Sequence, residues 1–64
     1  MQELELAYKQ LKQALKNLDK AEDKAIDKRQ FELNDKLEKL SSEVAEICDK
    51  VRTINIYETS NMNN

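Results

Sequence analysis

The sequence predicts an all-α protein, a coiled-coil-like antiparallel hairpin of two amphipathic helices. Two stripes of apolar residues recur at alternating intervals of four and three, the spacing that places side chains on one face of an α-helix. The stripes consist of Leu4, Tyr8, Leu11, Leu15 and Leu18, and of Leu33, Leu37, Leu40, Val44, Ile47, Val51 and Ile54. No glycine or proline interrupts the 64 residues. Each stripe therefore needs a neighbouring helix to pack against.

The first helix is expected over about residues 2–21. Glu3 and Glu5 stand in its first turn, where negative side chains interact favourably with the positive end of the helix dipole. Ala7 and Ala14 widen its apolar face and permit close approach by a neighbour. A row of lysines is expected to form a solvated flank, and it consists of Lys12, Lys16, Lys20, Lys24 and Lys28.

A turn is expected at about residues 22–27, because the apolar spacing fails there. Heptads continued from Leu18 do not reach Leu33, which comes one residue late. Asp27 followed by Gln30 is close to the capping-box pattern that begins helices. One long helix in a coiled coil is the alternative, since the interval between the stripes is close to four helical turns and a stutter would absorb the phase shift.

The second helix is expected over about residues 28–52. Acid-before-base pairs four residues apart support its helicity, each by about 0.3–0.5 kcal/mol. These pairs are Glu32 with Lys36, Asp35 with Lys39, and Glu46 with Lys50. Ser41 and Ser42 fall outside the stripe and are expected at the surface. The helical hairpin as a domain should cover residues 1–57, and residues 58–64 should form a flexible polar tail.

The composition argues against several classes of function. The chain has no histidine, no glycine and one cysteine, Cys48, so the usual nucleophile–base pairs, phosphate loops, disulfides and zinc clusters lack their residues. We therefore expect no enzyme activity, no cofactor and no metal site. Cys48 itself is expected to be a small hydrophobe at the edge of the second stripe.

Charge and hydropathy bound the partners in the same way. Charged residues of both signs make up 38% of the chain and leave a net charge of −2, which argues against nonspecific nucleic-acid binding. No apolar run approaches the roughly 20 residues of a membrane span. The acidic N-terminus does not have the form of a secretory signal, and a single reduced cysteine fits the cytoplasm.

The two helices are expected to bind another protein. A chain of this size encloses little core, and small scaffolds usually need a disulfide, a metal or an oligomer for stability. Phe31 could close the hairpin over Ile26 or Leu18, or insert into a groove of the partner. The predicted partner-binding residues are Leu4, Tyr8, Leu11, Leu15, Leu18, Phe31, Leu33, Leu37, Leu40, Val44, Ile47 and Val51.

One run of residues carries a family resemblance. Asp27-Lys28-Arg29-Gln30-Phe31 has an aspartate, two variable residues, a glutamine and an aromatic residue in succession. The residues that accompany it are Gln10, Leu11, Leu18, Asn34, Leu37, Leu40, Val44, Ile47, Val51 and Ile54-Asn55-Ile56-Tyr57. In this combination, over residues 10–51, the chain resembles the small E-component co-chaperones of type III secretion needle subunits. It departs from that family in having no glycine or proline at the turn.

The resemblance implies a helical hairpin without enzyme activity that binds a larger helical-repeat chaperone in the cytoplasm. The two together would hold a needle subunit soluble before export. The apolar stripes alone leave a second hypothesis open, a homo-oligomeric coiled coil or four-helix bundle that serves as a structural or regulatory adaptor. Self-association would then close the same stripes by symmetry.

Overall fold

The protein is a hairpin of two long antiparallel helices. The computed structural model describes the backbone of residues 1–62 and the side chains of residues 1–59. Helix α1 spans Gln2–Asp27 and helix α2 spans Phe31–Met62, and the two pack against each other. The Cα atoms extend 53 Å along the helices and only 15 and 10 Å across them. The predicted all-α hairpin is confirmed, and the alternative of one long helix is excluded.

A Schellman motif forms the turn between the helices. The N–H group of Gln30 donates to the carbonyl of Ala25 (2.8 Å), and that of Arg29 donates to the carbonyl of Ile26 (2.9 Å). These bonds satisfy carbonyls that the end of a helix leaves without partners. Arg29 has a φ of 59°, in the left-handed region that glycine enters most readily. The turn, which contains no glycine or proline, therefore depends on an arginine in a strained conformation.

The boundaries predicted for α1 and the turn were wrong. The segment 22–27, expected to be the turn, is helical, and Asp27 ends α1 instead of capping α2. The helix continues because Ala21 and Ala25 keep the heptad spacing of its inner face with small side chains. The chain reverses only at residues 28–30.

Helix α2 also differs in extent from the prediction. It begins at Phe31 rather than at about residue 28, and it continues to Met62 through most of the segment expected to be a tail. No glycine or proline stops it there, and the hydroxyl of Thr59 donates to the carbonyl of Asn55 (2.9 Å), a contact that helical geometry provides. The last part of the predicted tail, residues 63–64, lies outside the described residues.

The inner faces of both helices are built from heptad rows. On α1 these rows are Leu4, Leu11, Leu18 and Ala25; Ala7, Ala14 and Ala21; and Tyr8, Leu15 and Glu22. On α2 they are Asn34, Ser41, Cys48 and Asn55, here called the inner polar row, and Leu37, Val44, Val51 and Glu58. Every one of these residues is at least half-buried. The predicted lysine flank is exposed throughout, as expected.

The core between the helices is thin. Among the described residues only Ala25 and Cys48 are fully buried. Ser41, predicted at the surface, lies on the inner face, and within the described residues its buried Oγ atom has no hydrogen-bond partner. The prediction for Ser41 failed because it was based on the spacing of apolar residues alone. The inner polar row repeats every seven residues on the inner face although most of its side chains are polar.

One hydrogen bond joins the two helices at the open end of the hairpin. The amino group of Met1 donates to the Oδ1 atom of Asn55 at 3.3 Å. Near this end of α2 the side chains of Ile56 and Tyr57 are exposed. Ion pairs add little: the three pairs expected on α2 are not formed among the described side chains, and Arg52 contacts Asp49 instead (3.3 Å) on the exposed surface.

The strained turn yields a first prediction. Arg29→Gly should raise the free energy of unfolding by about 0.5–1 kcal/mol, because glycine adopts the left-handed conformation without the cost that a side chain imposes. Lys28→Gly is the matched control, since Lys28 has a φ of −88° and gains nothing from glycine. Urea unfolding followed by circular dichroism measures both. A destabilised Arg29→Gly variant would show that the left-handed turn residue is placed elsewhere.

The inner polar row yields a second prediction. Ser41→Ala should stabilise the hairpin by about 1 kcal/mol or more, because it removes a buried hydroxyl without a partner and adds the helix propensity of alanine. Ser42→Ala, at the exposed neighbouring position, should gain only the propensity term, about 0.5 kcal/mol. Thermal and urea unfolding of both variants give the comparison. Equal gains would mean that burying the Ser41 hydroxyl costs nothing.

Candidate protein-binding surface

The structure divides the second apolar stripe between two surfaces. Leu37, Val44 and Val51 are half-buried on the inner face of α2. The remaining members are Leu33 (45% exposed), Leu40 (44%), Ile47 (50%) and Ile54 (52%). We call these four residues the open stripe. The sequence predicted one continuous contact face, and the hairpin covers only one side of it.

Helical geometry explains this division. The inner face of α2 is centred between the inner polar row and the row that contains Leu37. Each residue of the open stripe precedes a residue of the inner polar row by one position, so it lies about 75–80° from the direction of α1. Helix α1 therefore packs against one flank of the apolar stripe and leaves the other flank to solvent.

Both inner faces carry rows of small side chains. The inner polar row consists of asparagine, serine and cysteine, and α1 presents Ala7, Ala14 and Ala21 on its own inner face. Small side chains on facing helices permit a closer approach than leucine against leucine. The polar character of Asn34 and Ser41 hid this face from a reading of hydrophobic periodicity.

The predicted partner-binding residues of α1 lie in the hairpin interface. All five are half-buried on the inner face of α1, and they are Leu4, Tyr8, Leu11, Leu15 and Leu18. The ring of Tyr8 also lies 5.6 Å from the Nζ atom of Lys12, within the range of a cation–π contact. These residues are occupied by the hairpin itself, so they offer little surface to another protein.

Phe31 does not close the hairpin. It is the first residue of α2 and is 61% exposed, and Ile26 is also exposed. Of the two roles considered for Phe31, contact with a partner is the one that its position permits. Leu6, Ile56 and Tyr57 are exposed as well, although the sequence did not indicate them as partner-binding residues. Their spacing does not continue either stripe, so periodicity gave no signal for them.

The two long edges of the hairpin differ in character. On one edge Glu22 of α1 lies near enough to Glu38 of α2 for their charges to interact. Glu38 and Leu33 are on opposite sides of the inner face of α2, so the open stripe occupies the other edge. There α1 contributes an exposed row whose middle is uncharged and consists of Leu6, Gln10, Gln13 and Asn17, with Glu3 at one end and Lys20 and Lys24 at the other.

A row of charged residues borders the open stripe on its outer side. Lys36, Glu43 and Lys50 each follow an open-stripe residue by three positions, and all three are exposed. Their signs alternate along the helix. The edge is therefore an apolar strip with a border on α1 that is uncharged in its middle and charged at its ends, and with a border of alternating charge on α2. Such a strip can bury a helix of another chain, because its centre is free of charge.

Within the described residues, neither helix combines the length and the apolar character needed to cross a membrane. Nor does any group of three or more histidine, cysteine, aspartate or glutamate side chains there come together in a way that could hold a metal ion. Cys48 is a free thiol buried between the helices.

No protein-family model, no curated protein and no solved structure matches this chain. The assignment of a function therefore rests on the geometry of the hairpin and on the residues of its surface.

Glu22 yields a prediction about pH. Its burial between the helices raises the pKa of its carboxyl group above the ordinary value, and the charges of Asp19, Glu38 and Asp23 raise it further. A carboxyl with a raised pKa in the folded state destabilises the fold when ionised, so its unfavourable contribution is present at neutral pH and disappears as the pH falls below its unfolded pKa. Glu22→Gln should therefore be more stable than the wild type at neutral pH.

The same experiment contains its own control. The difference in free energy of unfolding between Glu22→Gln and the wild type should shrink as the pH is lowered through the ordinary range of carboxyl groups. Glu46→Gln, at an exposed site on α2, should show no such gain. Urea unfolding over a series of pH values measures both. A gain for Glu22→Gln that stays constant with pH would contradict the electrostatic explanation.

Proposed function

We propose that this chain is a non-enzymatic protein-binding subunit of the cytoplasm. In this proposal it stabilises a larger helical-repeat chaperone and thereby helps to keep a type III secretion needle subunit soluble before export. The observation that carries the proposal is the open stripe, an aliphatic strip that the hairpin's own helices do not cover. The residues that bind the chaperone are then the four of the open stripe, together with the exposed Phe31.

The open stripe has the dimensions of a binding site for a helix. From Leu33 to Ile54 it runs for three heptads, about 30 Å along α2 at 1.5 Å per residue. It joins the half-buried row of Leu37, Val44 and Val51 without a charged residue between them. Continuous apolar strips bordered by polar residues typically mark sites of protein interaction, whereas single exposed apolar residues carry no such meaning.

The likeness to the E-component co-chaperones adds a particular partner to this general argument. That likeness implies a hairpin, which is the fold observed, and the turn without glycine or proline is made by Arg29 in a left-handed conformation. A needle subunit that polymerises through amphipathic helices must have its apolar faces covered until assembly. A subunit that binds only the folded chaperone shifts the folding equilibrium of that chaperone by mass action.

A homo-oligomer remains the second candidate, and one observation favours it. The four residues of the open stripe are spaced evenly by seven, so a second copy of the hairpin in antiparallel orientation could place an identical stripe over the first. This arrangement would be a four-helix bundle with α2 helices at its centre. The two candidates use the same surface and differ in what covers it.

The open stripe can be tested by a change that spares the hairpin. Ile47→Asp should leave helicity and unfolding behaviour near those of the wild type, because Ile47 is half exposed in the hairpin. It should weaken the complex with a candidate helical-repeat chaperone by tenfold or more, since burial of an isoleucine contributes about 1.5–3 kcal/mol and an unpaired buried charge costs more. Leu40→Asp should behave in the same way.

Light scattering after size-exclusion chromatography, with and without the co-expressed chaperone, distinguishes the candidates. The proposal predicts a monomer over a wide concentration range and a hetero-complex that Ile47→Asp abolishes. Ser42→Asp, at an exposed position away from the stripe, is the matched control and should leave the complex unchanged. A wild-type dimer or tetramer that persists on dilution and is lost in Ile47→Asp would favour the homo-oligomer. A complex that survives in both stripe variants would contradict the assigned surface.

A further inference from the structure

The charges that border the open stripe narrow down what can cover it. Lys36, Glu43 and Lys50 lie at the positions that flank the contact when a helix packs on the open stripe and on the row of Leu37. In pairs of packed helices, residues at these flanking positions face one another across the contact between the helices. The signs of their charges determine which partner binds and in which orientation. The sequence basic–acidic–basic is therefore a selective feature of this surface.

A second copy of the chain fits these charges poorly. An antiparallel pair that covers the whole stripe places Leu33 against Ile54 of the second copy, and Leu40 against its Ile47. The flanking row then pairs Lys36 with Lys50 of the second copy and Glu43 with its own counterpart, so that every flanking contact joins like charges. A shift of one heptad pairs Glu43 with Lys50 but leaves Leu33 uncovered.

We infer that the open stripe is covered by an amphipathic helix of a different protein, whose flanking row reads acidic, basic, acidic. Because the row on this chain reads the same in both directions, the complementary row fits a helix in either orientation. This inference rests on the proposed function and makes it more specific, since it gives the chemistry of the chaperone helix that the hairpin binds.

The second border of the strip agrees with this occupant. The row on α1 that faces the same edge contains Leu6, Gln10, Gln13 and Asn17 in its middle, all without charge, and the exposed Glu3, Lys20 and Lys24 at its ends. A helix that lies in the groove between α1 and the open stripe would contact these residues with its other flank. The middle of that flank is expected to be uncharged, because a charge opposite Gln10 or Gln13 would lose water without gaining a charged partner. The result would be a three-helix bundle in which α2 is covered on both sides.

Two synthetic peptides test the inference directly on the full chain. Both carry the same aliphatic stripe of about 25 helical residues, enough to cover the open stripe. One has glutamate, lysine and glutamate in the flanking row, and the other has lysine, glutamate and lysine. The chain has a net charge of −2, so unspecific attraction favours the second peptide. We expect the first to bind about tenfold more tightly, from three flanking contacts changed from repulsive to attractive.

Charge-reversed variants provide the control. Lys36→Glu, Glu43→Lys and Lys50→Glu combined should invert the preference between the peptides. Lys39→Glu and Glu46→Lys combined, at exposed positions on the outward side of α2, should leave the preference unchanged. Circular dichroism shows whether each variant keeps its helicity, and the comparison of the two peptides on the wild-type chain does not depend on any variant.

The outcomes separate this inference from the proposed function. Equal affinities, or a preference for the lysine–glutamate–lysine peptide, overturn the charge rule. Failure of both peptides to bind overturns the inference that a helix covers the open stripe. A dimer of the chain that depends on Ile47 overturns the inference that this helix belongs to a different protein. The complex with the chaperone and its loss in Ile47→Asp are measured separately, so the proposed function can stand while the charge rule fails.

Discussion

The small side chains on the facing sides of the two helices determine the rest of the structure. The inner face of α1 carries Ala7, Ala14 and Ala21, and the inner face of α2 carries asparagine, serine and cysteine. The larger aliphatic residues beside them are only half-buried, so the contact between the helices consists of many weak contacts. The hairpin consequently has a narrow core, and the large aliphatic residues of α2 are only partly used by α1.

This packing gives α2 two different apolar surfaces. One side holds the hairpin together, and the neighbouring side remains apolar and exposed at Leu33, Leu40, Ile47 and Ile54. The hairpin thus uses the leucines of α1 and the small side chains of both helices for its own fold, and it leaves the four aliphatic residues of the open stripe exposed. A partner seated there would bury the half-covered row of Val44 and Val51 more completely, so binding and hairpin stability are coupled.

The sequence predicted the fold class but not the orientation of α2. The four-three spacing of apolar residues and the absence of glycine and proline were sufficient to predict two helices, because both signals depend on local sequence. The face that α1 covers depends on Asn34, Ser41 and Asn55, which no hydrophobic pattern indicates. The turn was misplaced for a related reason: Asp27 resembles a cap in sequence, but the reversal depends on the left-handed Arg29, for which the side chain gives no local signal. Whether the open stripe binds a protein at all is likewise beyond the sequence, because the pattern looks the same in a covered and an uncovered helix.

The position of the turn also governs how the chain folds and opens in time. Residues 28–30 lie near the middle of the hairpin, so its contacts can form progressively outward from the turn, from pairs close in sequence to the distant pair of Met1 and Asn55. Helical proteins with such local contacts fold in microseconds to milliseconds. Opening proceeds from the free ends, where few contacts must be broken, so backbone amides near Met1 should exchange with solvent sooner than those near Ala25. A partner that binds Ile54 would close the end of the hairpin that opens first.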